Sequence, residues 1–367
     1  MNFALSEEQE FLREAARGTL GRVTTVEAAR EALDGQALPD LWPAAVEAGW
    51  PGLMVSEERG GAGLGAIEAM LVFAELGRVL AAVPLLGHLP ATWLLDRAAW
   101  DGVEALATGE RRAAFVPAQP PAGGEPDWTT DAREGIVRAP APVLEGGTLT
   151  GTVAWVPDAP GAGVLVVAAE GGRVAVVDAA DAEIEPVRRY DATRSLAHVT
   201  FSRSPATELP GANAAVAWHL SQALLAAESL GAVETALETS VAYAKDRFTF
   251  GRAMGSYQAV KHELVEILRR QENARSLMYY AGWAAQDRAD EFPLAAASFR
   301  TVAGAALDHA ARTQISVHGG IGATWEHDAP LYFRRAQLSR RLLGGAGGAA
   351  GRVADELFEA ARQEAAA

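Results

Sequence analysis

The spacing of apolar and polar positions changes twice along the chain. Up to about Glu110 apolar residues recur at helical spacing, and Ser6 followed by Gln9 has the spacing of a helix capping box. From Arg111 to about Pro210 glycine and proline are frequent, and short β-branched runs predict strands at Leu149–Val156, Gly163–Ala168, Arg173–Val177 and His198–Phe201. The helical period then returns in runs of about thirty residues, which predict helices at Ala214–Lys245, Ser256–Arg288 and Pro293–His318.

This order predicts an α+β protein of three domains. We expect an N-terminal helical domain over residues 1–112, a central antiparallel β-domain over 113–208 and a C-terminal bundle of long helices over 209–367. The glycines of Gly60–Gly65 match a dinucleotide-binding loop only loosely, because no buried strand precedes them, and we interpret them as a plain loop.

Composition and charge narrow the possible functions. The chain has 32 basic and 47 acidic residues, a net charge of −15 that disfavours a nucleic-acid groove as its main function. The absence of cysteine excludes disulfides, zinc–thiolate sites and a cysteine nucleophile, and no metal site is predicted. The start of the chain has no secretory pattern, and the apolar stretch Ala69–Leu95 is interrupted by charged residues and prolines. We therefore expect a cytoplasmic protein without a membrane segment.

Two segments carry a family resemblance. Arg247-Phe-Thr-Phe-Gly-Arg-Ala-Met-Gly-Ser-Tyr-Gln258 resembles the R-x-x-F-G-x-x-x-x-x-x-Q signature of acyl-CoA dehydrogenases, and His318-Gly-Gly-Ile-Gly resembles the Gly-Gly-x-Gly segment of the same family. Weaker matches begin at Leu5, Ser56 and Glu75, and Gly151–Val156 falls where the family has its flavin-side strand. The resemblance covers nearly the whole chain and shares its domain order.

The resemblance implies an FAD-dependent oxidoreductase that introduces an α,β double bond into an acyl-CoA thioester. In the family the two segments reach across a subunit interface to the FAD of the neighbouring chain. The implied cofactor-binding residues are Arg247, Phe250, Gly251, Gln258, Ser316, Gly319, Gly320 and Gly322. Taken alone, an arginine offers a charged planar fork for phosphate, but a solvated arginine at a helix end and glycines that only cap a helix remain the simpler alternatives.

The carboxylate base of the family has no counterpart at either of its known positions. The position near the C-terminus holds Leu343, and the alternative position on the first long helix of the bundle holds Ser221. Glu228 would lie about 10 Å further along that helix, beyond hydrogen-bonding reach, and is interpreted as a polar or interface residue. Glu326 is interpreted as a structural hydrogen-bonding residue. The catalytic residue is therefore unknown.

Two further departures affect the cofactor site. The region Phe115–Asp127 contains no recognisable copy of the Thr-Glu-Pro-Gly-x-Gly-Ser-Asp run that helps to hold flavin and acyl-CoA in the family. The glutamine that usually precedes Gly-Gly by three residues is replaced by Ser316, with Gln314 two residues earlier.

These features resemble the base-lacking partner subunit of actinobacterial heteromeric acyl-CoA dehydrogenases, which act on steroid side-chain CoA thioesters. That resemblance implies an α₂β₂ heterotetramer with a glutamate-bearing acyl-CoA dehydrogenase subunit. Two alternatives stay open. One is a self-sufficient homomeric flavoenzyme of the same fold with a relocated base, and the other is a non-catalytic scaffold protein that binds no flavin.

Overall fold

The computed structural model of the chain describes residues 4–117 and 141–366. Within these residues eleven α-helices form: α1 Glu7–Leu20, α2 Val26–Leu33, α3 Trp42–Glu47, α4 Ala66–Arg78, α5 Leu85–Arg97, α6 Val103–Ala107, α7 Ala214–Asp246, α8 Gln258–Asp287, α9 Phe292–His318, α10 Ala329–Ser339 and α11 Gly345–Ala366. The strands of the same residues are β1 Ala113–Val116, β2 Val143–Glu145, β3 Thr148–Pro157, β4 Val164–Ala168, β5 Val174–Asp178, β6 Glu183–Pro186, β7 Leu196–Pro205, β8 Thr207–Glu208, β9 Phe248–Thr249 and β10 Arg252–Ala253. Most of the degenerate Phe115–Asp127 run lies outside the described residues, from position 118 onward.

The first helix begins where the sequence predicts. Ser6 caps α1 in a capping box: its hydroxyl accepts the Gln9 N–H at 3.2 Å, and the Gln9 side chain accepts the Ser6 N–H at 3.0 Å. Further along, α4 is buried over nearly its whole length and crosses α7 at two glycines. A Cβ on Gly77 would lie 1.9 Å from the Glu228 carbonyl oxygen, and one on Gly231 would lie 1.7 Å from the Ala74 carbonyl oxygen. Only glycine allows these two backbones to touch.

The β-domain consists of two four-stranded sheets with strand orders β1-β4-β5-β8 and β2-β3-β7-β6. Every pair in them is antiparallel as predicted, except that β1 and β4 are parallel. That pair was not foreseen: the long connection between Val116 and Val164 gives the chain room to return in the same direction. Strand β4 is buried on both faces, which explains its uninterrupted apolar sequence, because one face meets α5 and α6 while the other meets the second sheet.

The C-terminal domain is a bundle of long helices, as the apolar period predicts. Helices α7, α8 and α9 contain 33, 30 and 27 residues, and each begins and ends within two residues of the predicted bounds. Helix α7 is buried on almost all sides from Ala217 to Val233, because it packs between α4 and α9. The predicted α+β class, with helices on both sides of a β-domain in the chain order, is confirmed. None of the helices in the described ranges is both long enough and apolar enough to cross a bilayer.

Candidate functional site

The arginine segment of the family signature forms a tight β-hairpin between α7 and α8. Strand β9 pairs with β10 in antiparallel register, and Phe250 and Gly251 form the two-residue turn with φ angles of +52° and +82°. Two positive φ angles match the twist of a hairpin, but a bulky aromatic residue adopts this conformation at a cost. The Phe250 side chain is 93% exposed at the tip. Backbone strain and an exposed aromatic ring at one position are typical of a functional site.

Tyr257 contacts both strands of the hairpin and stabilises it. The Tyr257 hydroxyl donates to the Thr249 carbonyl at 2.9 Å, and the Arg252 guanidinium lies 3.9 Å from the centre of the tyrosine ring. The Met254 N–H donates to the Arg247 carbonyl at 2.7 Å and closes the base of the hairpin. These contacts fix the backbone on one side, so the exposed side chains project from a rigid support.

The exposed face of this region carries positive charge in a strongly acidic chain. Arg247 follows the last residue of α7, is exposed, and forms no side-chain ion pair or hydrogen bond with the rest of the described chain. The only two lysines of the sequence, Lys245 and Lys261, lie on either side of the hairpin. Gln258 is exposed at the first position of α8, and a Cβ on Gly251 would meet no atom within 4 Å. The surface is therefore open to an anionic ligand.

The glycine segment begins where α9 ends, and different structural constraints favour glycine at its positions. Gly319 has a φ of +63°, which favours glycine, whereas a Cβ on Gly322 would lie 2.7 Å from the Ile315 carbonyl oxygen. Gly320 has neither constraint, and a Cβ there would meet no atom within 4 Å. Ser316 is exposed in the last turn of α9, where its carbonyl accepts the Gly319 N–H at 3.1 Å.

Side-chain contacts join the end of α7 to the end of α9. The Tyr243 and His318 rings lie 4.4 Å apart. Tyr243 precedes Arg247 by four residues, and His318 is the residue before Gly319. The Gln314 side chain donates to the Thr239 hydroxyl at 2.9 Å and is 1% exposed, so Gln314 binds α7 rather than taking the place of the missing family glutamine. The two segments singled out from the sequence thus lie at the same end of the bundle.

One of the two family positions for the base, Leu343, lines a cavity, and the other, Ser221, is the residue next to Gln222, which also lines it. Leu343 is buried with a φ of +54°, and its carbonyl accepts from the Gln222 side chain at 2.8 Å. Ser221, the residue beside Gln222, is 2% exposed and donates to the Ala217 carbonyl at 2.8 Å. The cavity is lined mainly by apolar groups. Its lining includes Trp218, Ala297 and Leu343 together with the polar side chains of His219, Gln222 and Arg352. Leucine has no basic atom, and a serine hydroxyl is too weak a base to remove a substrate proton without an adjacent base.

His219 is the titratable residue of this cavity that sequence reasoning missed. Burial, together with the nearby Arg352, lowers the pKa of His219 to about 4. A general base works best when its pKa lies near the working pH, so this imidazole is a weak candidate. No motif marks the position, because a histidine within an apolar helical run has no distinguishing sequence signal.

Glu228 is a structural residue, in agreement with its interpretation from the sequence. Its carboxylate is 3% exposed and pairs with Arg194 and, at 2.7 Å, with Arg335. Both oxygens are therefore engaged by arginines in the interior. Glu326, by contrast, lies exposed on the loop after the glycine segment and is not among the residues that line the cavity.

The strand predicted to face a flavin ring is covered by side chains of the same chain. Trp155 near the end of β3 is 6% exposed, with a φ of +59°. The Arg189 guanidinium lies 4.5 Å from the centre of one of its faces, and the His198 ring meets it edge-on at 4.6 Å. A planar ligand would have to displace Arg189 to stack on this indole.

Acidification is expected to destabilise the chain, because His88 and His219 are neutral in the fold. Burial lowers the pKa of each to about 4, so below about pH 6.5 the unfolded chain binds protons that the folded chain does not. Their contribution to stability is complete above about pH 6.5 and falls by about 2 kcal/mol per histidine at about pH 5. Burial raises the pKa of Asp158 to about 6, which acts in the opposite sense and offsets about 1 kcal/mol.

Urea unfolding of the chain at pH 7.5 and pH 5.0 measures this dependence. His219→Gln is expected to reduce the net dependence from about 3 to about 1 kcal/mol, whereas His262→Gln, at an exposed position on α8, serves as the matched control. A pH dependence undiminished in His219→Gln would contradict the assignment.

Comparison with known proteins shows which families and proteins the chain is similar to. Residues 6–104 match the model described as "Acyl-CoA dehydrogenase, N-terminal domain", and residues 211–358 match "Acyl-CoA dehydrogenase, C-terminal domain". The acyl-CoA dehydrogenase IpdE2 of Mycobacterium tuberculosis is 34% identical over 92% of this chain and 93% of its own length.

Two solved structures share the fold over nearly the whole chain. The ChsE4-ChsE5 complex from Mycobacterium tuberculosis has a TM-score of 0.84 at 26% identity, covering 98% of this chain and 99% of the matched one. The steroid ACAD named Tcur3481-Tcur3483, solved as a variant, has a TM-score of 0.85 at 28% identity, covering 97% of this chain and 99% of the matched one.

Proposed function

The chain belongs to the acyl-CoA dehydrogenase family of oxidoreductases, and from this premise we propose that it is one subunit of a heteromeric, FAD-dependent member. In this proposal it contributes the cross-interface half of the FAD site, while a second chain of the same fold supplies the catalytic glutamate. The observation that carries the proposal is that the chain has the open cofactor segments of the family but lacks its base and an open indole face. The hairpin and glycine segments are open to a ligand, whereas the base positions hold Leu343 and Ser221 and the face of Trp155 is covered by Arg189.

The residues of the open half fit one end of a dinucleotide. Arg247 offers a phosphate a guanidinium that pairs with no residue of the described ranges, Phe250 offers an exposed ring face, and Gln258 offers an amide within the same segment. Gly319 and Gly320 leave the backbone accessible at the end of α9. When bound, FAD would accept the hydride that leaves the acyl β-carbon. This chain's own residues would bind and orient the cofactor and would leave proton removal to the partner.

The substrate class and the assembly are supported by the relatives. ChsE4-ChsE5 is named as a complex of two chains, and the Tcur3481-Tcur3483 protein is named a steroid ACAD. By analogy we propose an α₂β₂ assembly that acts on CoA thioesters, with steroid side-chain thioesters as the first substrates to test. This step rests on likeness of fold and sequence rather than on a contact within the chain.

The test is to purify the chain alone and together with a co-expressed glutamate-bearing subunit from the same host, and to compare flavin absorbance. We expect a colourless chain alone and a yellow complex with about one FAD per αβ pair, since each interface joins two complementary halves. A yellow, active chain purified alone would favour the homomeric enzyme. A complex that forms without flavin would favour the scaffold.

Arg247→Ala is expected to weaken FAD binding by the complex by about 10- to 100-fold, the usual effect of losing a hydrogen bond to a charged group. Equilibrium dialysis of the complex against FAD measures the dissociation constant. Arg269→Ala is the matched control, because Arg269 is also an exposed arginine of this region but already pairs with Glu266 on the surface of α8. Unchanged FAD affinity in Arg247→Ala would rule out this cofactor assignment.

A further inference from the structure

A single arginine from the N-terminal domain holds the loop that follows the glycine segment. Arg30, in the last turn of α2, donates to the backbone carbonyl of Trp325, to that of His327 at 3.3 Å, and to the Asp328 carboxylate. The three acceptors lie within four consecutive residues and almost three hundred positions away in the sequence. One guanidinium therefore fixes both the path and the end of this loop.

The helix that carries Arg30 is itself firmly seated. Ala29 is 1% exposed and packs in the same apolar cluster as residues of α7 and α10. At the end of α2, Arg188 donates to the Ala32 carbonyl from the β-domain side. A guanidinium on such a support can hold a loop at a defined position, whereas one on a mobile segment could not.

The held loop contacts the candidate cofactor segments through two rings. The His327 ring lies 4.2 Å from His318, the residue before Gly319, and His318 lies 4.4 Å from Tyr243, one helical turn before Arg247. Elsewhere around the loop, the Thr324 hydroxyl donates to the Ile321 carbonyl at 2.7 Å, and the Arg334 guanidinium of α10 lies 5.8 Å from the centre of the Trp325 ring. A displacement of His327 would therefore shift His318 and Tyr243, and with them the glycine segment and the hairpin segment.

Burial and the neighbouring charges favour the neutral imidazole of His327. Burial, the neighbouring His318 and Arg30 lower the pKa of His327, while Asp328 acts in the opposite direction; the Tyr243 ring contacts His318. In the neutral form, Nδ1 of His327 accepts the Ala329 N–H at 3.0 Å, at the first residue of α10. Protonation of that nitrogen would break the bond and loosen the loop.

We infer that Arg30 is a positioning residue for the FAD half-site: through the loop 325–328 and the His327–His318 contact it sets the position of the Gly319–Gly322 backbone relative to Arg247. The inference rests on the proposed function of that site. It assigns a role in cofactor binding to the N-terminal domain, which contributes none of the cofactor-binding residues that the family resemblance implies.

The test uses the complex and four variants of this chain: Arg30→Met, Arg30→Lys, Arg247→Ala and Arg22→Met. Arg22 is the matched control, an exposed arginine just before α2 whose side chain, within residues 4–117 and 141–366, bonds only to Thr19. FAD dissociation constants are measured by equilibrium dialysis at pH 7.5 and pH 6.0. The His327 titration is followed by proton NMR of the full chain, with His327→Gln to assign the resonance.

We expect Arg30→Met to weaken FAD binding by about tenfold at pH 7.5, the effect of one net charge-assisted hydrogen bond. The pKa of His327 should rise because a neighbouring cation is lost, so the effect should grow at pH 6.0. Arg30→Lys should recover part of the affinity, since an ammonium can reach some of the acceptors but not all three. Arg22→Met should bind FAD unchanged.

The outcomes separate this inference from the proposed function. If Arg247→Ala weakens FAD binding and Arg30→Met does not, the inference is overturned and the proposed function stands. If Arg247→Ala has no effect, the proposed function fails, and the inference fails with it. Equal losses in Arg30→Met and Arg22→Met, or an unchanged His327 titration in Arg30→Met, would show only a general effect of charge and would also overturn the inference.

Discussion

Arg335→Met is expected to lower the free energy of unfolding by about 3–5 kcal/mol, the usual effect of breaking a buried ion pair by removing one partner. The Arg335 side chain is 1% exposed and bonds the carboxylates of Asp191 and Glu228, each at 2.7 Å, and also the Thr193 hydroxyl. Burial alone would raise the pKa of Asp191, but Arg335 holds it below its usual value. Without this guanidinium, Asp191 would remain buried with no direct ion pair from an arginine of the described chain.

Urea unfolding at pH 7.5 measures this loss, and two further variants identify its cause. Glu266→Gln removes an ion-pair partner at the surface of α8 and should change stability by less than about 1 kcal/mol. Adding Asp191→Asn to Arg335→Met should restore part of the loss, because it removes the uncompensated charge. A loss below about 1 kcal/mol in Arg335→Met would contradict this account, since the network would then contribute no more than a surface pair.

The parts of the fold that could be predicted from the sequence depend on local patterns. The bounds of α7 and α9 follow from an apolar period sustained over many residues, and β4 follows from an apolar run between turn residues. The parallel pairing of β1 with β4 could not be foreseen, because strand order depends on contacts between distant segments. The same holds for the Asp191–Arg335–Glu228 network, whose members come from three separate elements.

The candidate site also has features that could be predicted from the sequence and features that could not. Its two segments could be located from the sequence because their motifs are contiguous, and the glycines at 319 and 322 have backbone or packing reasons that such motifs reflect. The positive φ of Phe250 could not be predicted, since aromatic residues rarely adopt it and no neighbouring residue signals it. The contact of Arg30 with the loop before α10 was equally hidden, because it joins residues almost three hundred positions apart.

The chain alone is expected to oxidise acyl-CoA at least about 100-fold more slowly than the complex with its glutamate-bearing partner. General acid–base catalysis contributes about 10²–10⁴-fold, and the two base positions here hold Leu343 and Ser221. The imidazole of His219 beside them is a poor substitute, because burial lowers its pKa to about 4. Turnover with a dye as electron acceptor, measured for the chain alone and for the complex, checks the prediction. Replacing the partner's glutamate by glutamine should abolish activity of the complex.

The variant Leu343→Glu separates the two reasons for which the chain alone should be inactive. It returns a carboxylate to a cavity where the alternative base position is also close, since Gln222 beside Ser221 bonds the Leu343 carbonyl. It leaves Arg189 over the face of Trp155, so this indole still offers no open face to a flavin ring. We therefore expect Leu343→Glu to give no activity to the chain alone, although its fold, checked by circular dichroism, should persist. Turnover by Leu343→Glu alone would show that only the base was missing, and turnover by the unsubstituted chain alone would establish the homomeric enzyme.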